Sequence, residues 1–541
     1  MKKTFTIQWI YLLALLALII SSCGHSRDKI LDPAEYRHYI TRFNDNHTDV
    51  YPQYIPNDSA WGFLKKNIPL LDCPDQDIER TYYFRWWTFR KHIKQTPSGF
   101  VITEFLPDVG WSGKYNTINC PAAHHIYEGR WLKDTRFISD YIDFWLRESE
   151  DGIRSYSFWV ADAVLQYNKV HPDDSAMMAQ LPYLIDNYRI WEEIRRDSGK
   201  QMFWQFDNRD GMEFTASGRI LNDGVKNGWI AATRPTINSY MYGDARAISR
   251  MASLAGDEKV MQTYDKKASS LKNLVQRRLW NDSLHFFTVL PRDYSGEDQP
   301  LDVREQIGYV PWYFNLPDDN SDYATAWQQL QDTLGFKAPY GPTTCEQRHP
   351  YFEVTYQGHA CQWNGPSWPF ATSQTLTAMA NLLNNYSRHK VHKQDYLRLL
   401  RRYAHSHQRT TGQGKTIAWI DENLNPTTGE WLARSILDQD KDYEYAERGK
   451  AYNHSSYCDL VISGLMGIRP RLDDQIEIHP LVPDGTWDWF CLEGVPYHGG
   501  ELTVLWDKTG EKYQRGKGFK VYYNGKQLHS SPQIKETIIK L

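Results

Sequence analysis

Cysteine is scarce in this sequence. Seven cysteines occur in 541 residues, and six of them follow Cys23. No pair has the spacing Cys-X-X-Cys, which excludes zinc ribbons and thioredoxin-type redox sites. Six cysteines in a chain of this length are also too few for a disulfide-based scaffold. We therefore expect buried free thiols at Cys73, Cys120, Cys345, Cys361, Cys458 and Cys491.

The sequence also lacks a strong charge of either sign. It carries 62 lysines and arginines against 66 aspartates and glutamates, a formal net charge of −4. No run of five or more like charges occurs, so no nucleic-acid partner is expected. The mean hydropathy of −0.64 excludes a polytopic membrane protein.

Motifs for cofactors and for serine nucleophiles are missing as well. Neither GxGxxG nor GxSxG occurs. Gly414-Lys415-Thr416 resembles the end of a P-loop, but Arg409 stands where the first glycine of that motif is needed. We therefore expect no cofactor, and nothing in the sequence indicates an obligate protein partner.

The first residues indicate export. A short cationic start precedes an apolar run at 10–20, which is too short to span a bilayer and predicts a signal peptide over 1–22. Ile-Ser-Ser-Cys at 20–23 resembles a bacterial lipobox, which implies lipidation of Cys23 and a lipid anchor to the membrane. We expect an exported bacterial lipoprotein of the outer membrane, on its periplasmic side or at the cell surface. An ordinary signal peptide with an incidental cysteine is the alternative.

Aromatic residues are abundant. The 21 Phe, 21 Trp and 35 Tyr make up 14% of the chain, which excludes intrinsic disorder. Beyond an irregular stretch that ends near residue 75, apolar residues recur at helical spacing. The segments are 81–93, 134–148, 156–170, 239–280, 322–333, 372–387, 394–407 and 455–466. Because these segments share no fixed repeat length, they favour a closed toroid of helical hairpins over a superhelical array.

The pattern changes near Gly467. Alternating and β-branched runs occur at 476–480, 502–506 and 519–523, and Asn524-Gly525 predicts a hairpin turn. We predict a mainly α protein with a small C-terminal antiparallel β-domain. Its parts are a signal peptide (1–22), a tether and lead segment (23–75), a helical toroid (76–469) and the β-domain (470–541).

Three loops concentrate reactive residue types. The first, 209–219, contains Asp210 and Glu213; the second, 361–369, is rich in tryptophan; the third, 420–431, contains Glu422 beside Asp421. Two carboxyl groups from separate loops, facing each other between aromatic walls, are what glycosidic bond cleavage requires. Tryptophan and tyrosine suit such a site because sugar rings stack their C–H faces on aromatic planes.

These loops resemble motifs of glycoside hydrolase family 63 and its relatives, the trehalases and mannosylglycerate hydrolases. Gly211-Met212-Glu213 is similar to the family's acid-bearing Gly-[Trp/Leu/Met]-Asp, and residues 363–369 resemble its Trp-[Arg/Asn]-Gly-Pro-X-Trp segment. Residues 422–429 resemble the family segment that carries the general base. The resemblance implies an (α/α)6 barrel over roughly 75–470 and an inverting, exo-acting glycosidase, with Glu213 as acid and Glu422 as base.

The sequence departs from the family pattern at the acid. Glu213 stands where the family has Asp, and Ala216-Ser217-Gly218-Arg219 replaces the Pro-Arg that follows it. Asp210 is therefore an alternative acid, or a partner that raises the pKa of Glu213 by like-charge repulsion.

Polar and aromatic residues near these loops are candidates for binding a carbohydrate substrate. They are Trp204, Trp363, Asn364, Gly365, Trp368, Asn238, Asp244, His125, Arg448 and His454. His124 and Glu128 have i,i+4 spacing, but no third metal ligand is evident, so no metal site is predicted. Two other functions stay open: a polysaccharide lyase on a similar toroid, and a non-catalytic glycan-binding lipoprotein.

Overall fold

The computed structural model describes residues 29–226, 228–354, 361–440 and 442–541. The predicted signal peptide and Cys23 lie outside these ranges. Within them, no helix is both long enough and apolar enough to cross a membrane. The six cysteines that follow Cys23 are all free, and only Cys361 is partly exposed.

Six helices in the described part of the chain form an inner ring. Each contacts the next one along the chain, and the shortest ones are buried on every side. They are Ala122–Gly129, Val160–Asn168, Pro235–Leu254, Val310–Tyr313, Pro369–Asn385 and the π-helix Leu460–Leu465. A helix that is buried on every side lies in the interior of a fold, and these six helices form the inner wall of the barrel.

Outer helices alternate with the inner ones along the chain. They are Gln76–Lys91, Arg136–Asp143 with the π-helix Phe144–Glu148, Asp174–Arg195, Glu258–Arg278, Ser321–Thr325 and Lys393–Ser406. Glu258–Arg278 buries one stripe only, formed by Tyr264, Ala268, Leu271 and Val275. The alternation of inner and outer helices along the chain confirms the predicted (α/α)6 barrel.

The hairpin of Pro235–Leu254 and Glu258–Arg278 shows how local sequence builds the barrel. Gly256 takes a positive φ of 74°, which ends the first helix cheaply. Asp257 then caps the second helix, its side chain accepting from the Val260 N–H at 3.0 Å. Both residues have the roles that the sequence predicted.

Buried charge closes the ring between its first and last helices. The Glu128 carboxylate accepts hydrogen bonds from the backbone N–H groups of Tyr457, Cys458 and Asp459, each at 3.2 Å or less. Asp459 in turn pairs with Arg130 at 2.7 Å and accepts from the Trp131 indole at 2.7 Å. Glu128 is thus a structural acceptor, and no metal-ligand cluster occurs among the described residues.

The stretch before residue 75 is more regular than predicted. It contains the helices Arg37–Asn46 and Asn57–Asn67 and the strand Leu70–Asp72. Arg37–Asn46 buries only Ile40 and Phe43, which is too sparse an apolar pattern to read as a helix from sequence. The helix packs on Gln76–Lys91 and covers its outer face.

The sequence interpretation also missed the 22-residue helix Asp174–Arg195. Pro182 lies inside it and would normally indicate a break. Asp173 caps its start, accepting from the Ala176 N–H at 2.9 Å, and tertiary packing against Pro235–Leu254 holds the remainder.

The C-terminal region is an antiparallel sheet structure, as predicted. Its five-stranded sheet has the order Leu70–Asp72, Trp489–Tyr497, Gly500–Asp507, Gly518–Tyr523 and Lys526–Ser531. Asn524 and Gly525, both at positive φ, turn the last hairpin. The first strand comes from the N-terminal lead and pairs Leu71 with Leu492, so the two ends of the chain share one sheet.

The remaining strands are short. One three-stranded sheet comprises Ile468–Arg469, Gln475–Ile478 and Thr537–Lys540, and another comprises Gln205–Phe206, Ala231–Thr233 and Leu290–Pro291. The two-stranded pairs are Ile93–Thr96 with Gly99–Ile102, Trp280–Asn281 with Phe286–Phe287, and Gln408–Thr410 with Thr416–Ala418. Short helices at Ala216–Leu221 and Leu432–Leu437 follow two of the three candidate loops.

Breaking the ring closure should destabilise the whole barrel. Asp459→Ala leaves Arg130 buried without its counter-ion, so we expect a loss of about 3–5 kcal/mol in the free energy of unfolding. Denaturant titration followed by circular dichroism measures it. Asp151→Ala is the control, because it removes a fully exposed partner of Arg154 and should change little. Equal effects of the two variants would contradict this role.

Candidate active site

A cavity of about 440 Å³ opens at the end of the barrel where the inner helices begin. The segments that precede the inner helices supply its walls. Helix N-termini carry partial positive charge, which suits a site built around carboxylates. The lining includes three such groups, Glu104, Glu213 and Glu422, and the aromatic residues Phe105, Trp111, Tyr156, Phe214, Trp229, Trp368, Tyr443 and Tyr452.

Glu213 lies on a tight turn before the helix Ala216–Leu221. Gly211 takes a positive φ of 75°, and a Cβ there would lie 2.6 Å from the sulfur of Cys120, so only glycine fits. Thr215 caps the helix, its hydroxyl accepting from the Gly218 N–H at 3.0 Å. The turn projects the Glu213 carboxyl into the cavity, where it makes no ion pair with described residues.

Glu422 is fixed from the opposite loop. Its backbone N–H donates to the Asp421 carboxylate at 3.0 Å, and Asp421 is locked by a fully buried ion pair with Arg434 at 2.7 Å. The Glu422 carboxylate faces the Arg448 guanidinium at 3.5 Å. The Cys361 thiol donates to its other oxygen at 3.8 Å.

The tryptophan-rich loop and the acidic loop are joined directly. The backbone of Ser367 exchanges two hydrogen bonds with that of Leu424, at 2.9 and 3.0 Å. Trp363 stacks on Trp368 with ring centroids 4.3 Å apart. The inner ring of this pair, Trp368, lines the cavity, while Trp363 supports it from behind. The loop resembling the family motif therefore positions the loop that carries Glu422.

The two carboxyl groups have different electrostatic surroundings. Burial, with a contribution from the charge of Glu422, raises the pKa of Glu213 to about 8. Burial also raises the pKa of Glu422, and the Arg448 guanidinium is the strongest influence that lowers it, whereas the same guanidinium lowers the pKa of Glu213 as a minor influence. Glu213 is therefore protonated at neutral pH, whereas Glu422 has a cation beside it that favours the carboxylate.

A third carboxyl group, Glu104, was missed by the sequence analysis. Its side chain accepts from the Ser112 hydroxyl at 2.8 Å and lies 3.4 Å from the His454 imidazole. Burial raises the pKa of Glu104 to about 8, and burial lowers that of His454 well below its usual value. At neutral pH both groups are uncharged, so they form a neutral polar corner of the cavity.

Asp210 occupies a different position from Glu213. Its carboxylate is fully buried, pairs with Arg234 at 2.8 Å and accepts from the Thr236 hydroxyl. It does not line the cavity. Asp210 is therefore engaged in buried contacts away from the cavity, whereas Glu213 faces it.

Of the predicted substrate-binding residues, the structure brings Trp368, Arg448 and His454 to the cavity. The others have structural contacts. Asn364 donates to the Tyr351 carbonyl at 2.8 Å, and a Cβ on Gly365 would meet the Glu353 carbonyl at 2.2 Å. These two residues therefore shape the loop and do not reach the cavity.

The predictions for Trp204, Asn238, Asp244 and His125 are corrected in the same way. The guanidinium carbon of Arg292 lies 3.8 Å from the centre of the Trp204 ring. Asn238 ties the backbone of Phe203 to the barrel, and Asp244 accepts from the Asp162 N–H at 3.0 Å. His125 contacts the Asn453 carbonyl at 2.8 Å. Polar groups buried inside a barrel need hydrogen-bond partners, and this requirement accounts for the contacts of Asn238, Asp244 and His125.

A second cavity, of about 410 Å³, lies at the opposite end of the barrel. Its carboxylates are already engaged: Asp459 pairs with Arg130, Glu477 with Arg471, and Asp162 accepts from the Tyr127 hydroxyl. The end with Glu213 and Glu422 is therefore the one equipped for acid–base chemistry.

The barrel and the paired carboxyl groups define the class of a glycosidase, and comparison with known proteins agrees. A family model described as the mannosylglycerate hydrolase MGH1-like glycoside hydrolase domain matches residues 114–455. This is more than half of the chain. A second model, the C-terminal domain of glycosyl hydrolase family 65, matches residues 468–529. The chain belongs to the MGH1-like glycoside hydrolase family.

Solved structures show the same fold. A chain named "Sialidase" is 42% identical, with a TM-score of 0.86, over 95% of this chain and 46% of that one. The GH63 mannosylglycerate hydrolase from Thermus thermophilus, in complex with Tris, is 10% identical, with a TM-score of 0.50, over 70% and 99%. A GH78 rhamnosidase from a Bacillus species is 11% identical, with a TM-score of 0.51, over 83% and 41%. The chain thus spans less than half of the chain named "Sialidase".

The pH dependence of turnover should report the protonated acid. If Glu213 is the general acid, its protonated form is the active one, and kcat/KM should fall as pH rises through about 8. A kcat/KM profile on a glycoside substrate measures this. Glu104→Gln is the control, since Glu104 has a similar pKa: the alkaline fall should persist in that variant. Its disappearance would assign the titration to Glu104 instead.

Proposed function

We propose that this glycosidase is exo-acting and inverting, with Glu213 as general acid and Glu422 as general base. The observation that carries the proposal is the difference between two carboxyl groups in one cavity. Glu213 has a pKa raised to about 8 and no ion pair with described residues, while Glu422 lies 3.5 Å from Arg448. Two carboxyl groups whose surroundings separate their protonation states are the usual acid and base.

The proposed reaction is a single displacement. Glu213 donates its proton to the glycosidic oxygen as the bond from that oxygen to the anomeric carbon breaks. Glu422 takes a proton from a water molecule, which attacks the anomeric carbon from the opposite face. Each turnover inverts the anomeric configuration and leaves Glu213 ionised and Glu422 protonated. Proton exchange with solvent then restores both groups.

Exo action is supported by the shape of the site. The cavity is closed below by the inner helices, which are packed with buried side chains. We infer from this floor and from the volume of about 440 Å³ that the end of a glycan enters the cavity. The substrate is therefore a carbohydrate whose terminal sugar enters the cavity.

Removing either carboxyl group should abolish turnover. We expect Glu213→Gln and Glu422→Gln each to lower kcat by at least about 100-fold, because each removes one arm of acid–base catalysis. Asp210→Asn is the comparison variant. The kcat values are compared only for variants whose melting temperature matches that of the parent protein. The substrate is found by screening defined oligosaccharides, and proton NMR then follows the first anomer released.

Release of the retained anomer would contradict inversion. Products with an unsaturated ring, formed also by Glu422→Gln, would favour a polysaccharide lyase. Binding of glycans by the parent without any turnover would favour a glycan-binding lipoprotein.

We further propose that the protein is exported and anchored through a lipid on Cys23, in the outer membrane. The apolar run at 10–20 and the lipobox-like residues 20–23 support this. Mass spectrometry of the mature N-terminus should detect an acylated Cys23, and Cys23→Ala should move the protein from the membrane fraction to the soluble fraction. An unmodified N-terminus at another residue would contradict the proposal.

A further inference from the structure

The exposed tryptophans of this protein are concentrated at one place. Among the described residues only Trp111 and Trp229 are exposed, at 41% and 59%, and both line the catalytic cavity. Tyr443, 40% exposed, lines it as well. Large aromatic side chains are normally buried, so a cluster of exposed ones marks a binding surface.

Neighbouring cations hold these rings in place. The Arg209 guanidinium lies 5.6 Å from the centre of the Trp229 ring, and the Arg448 guanidinium lies 5.6 Å from that of Trp111. Tyr445 packs edge-on against Trp111 at 4.9 Å. Cation–π contacts of this kind orient a ring while leaving one face open to solvent.

The two tryptophans flank different carboxyl groups. Trp229 follows Gly228, and a Cβ added at Gly228 would lie 3.5 Å from the Cβ of Glu213. Trp111 adjoins Arg448, the ion-pair partner of Glu422. Because the general acid protonates the leaving group, a ring beside Glu213 adjoins the part of the substrate that departs.

The size of the cavity limits what can lie inside it. At about 440 Å³ it falls near the lower end of the range of roughly 300–1,000 Å³ for small-molecule sites. The exposed rings stand at its rim. Their exposed faces can therefore also contact the part of a substrate that extends beyond the cavity.

We infer that Trp111, Trp229 and Tyr443 form a rim platform that binds an extended glycan, and that Trp229, beside Glu213, contacts the sugars beyond the cleaved bond. The natural substrate is then the end of a glycan of three or more sugars, and not a glycoside with a small aglycone. Aromatic faces suit this ligand because the C–H face of each pyranose or furanose ring stacks on an indole or phenol. The inference rests on the proposed function, since it takes the cleaved bond to lie at Glu213.

Binding to glycans of graded length tests the platform. The melting temperature of the Glu213→Gln protein is first shown to equal that of the parent. The protein is then applied to an array of defined glycans of one to six sugars. We expect retained glycans to have three or more sugars, bound at least about ten-fold more tightly than the mono- and disaccharides cut from their ends.

Matched variants assign the effect to the rim. In the Glu213→Gln background, Trp229→Ala and Trp111→Ala should each weaken binding of the longer glycan by about ten-fold, with a smaller effect on the disaccharide. Tyr183→Ala is the control: Tyr183 is 41% exposed beside the Arg147 guanidinium but lies outside the cavity. It should change nothing.

Three results would overturn the inference: equal binding of the disaccharide and longer glycans, retention of no glycan of three or more sugars, or unchanged binding in both tryptophan variants. The proposed function fails by a different readout. Length-dependent binding without hydrolysis by the parent protein would remove the glycosidase mechanism and leave the platform. Hydrolysis by the parent protein, with binding that does not depend on chain length, would remove the platform and leave the glycosidase mechanism.

Discussion

The structure depends on the closure of the helical ring by buried charge. The Glu128 carboxylate accepts hydrogen bonds from the backbone N–H groups of residues 457–459, and the Asp459 carboxylate forms an ion pair with Arg130. These contacts join segments about 330 residues apart. Inside the barrel the dielectric is low, so each unpaired group would be costly and the paired set specifies a single arrangement. Once the ring is closed, the segments that precede its six inner helices are forced to one end, and the cavity is the space between them.

The chemistry of that cavity depends on three glutamate side chains that have different neighbours. Glu104, Glu213 and Glu422 share one space, and burial raises the pKa of all three. Within the described part of the chain, Glu422 is the one of the three that forms an ion pair with a guanidinium. Glu104 has the neutral His454 and the Ser112 hydroxyl instead. These local partners, and not the carboxyl groups themselves, make the three glutamates differ.

The same loops combine structure and function. Trp363 supports Trp368 from behind, and the Ser367–Leu424 bridge carries that rigidity to the loop with Glu422. Asp421 and Arg434 anchor the same loop from below. A site built on loops thereby acquires the precision of a site built on helices.

The sequence alone predicted the helical barrel, the C-terminal sheet, the hairpin at Gly256 and Asp257, and the candidate pair Glu213 and Glu422. These features leave local signals: apolar periodicity, caps, turn residues and short motifs. Tertiary structure decided the rest. It brought Glu104, Trp111 and Trp229 to the cavity and drew Asp210, Asn238 and Asp244 into hydrogen bonds of the barrel. The physical reason is that a polar residue in a loop carries the same local pattern whether it faces a substrate or a buried partner, and only contacts between distant segments make the choice.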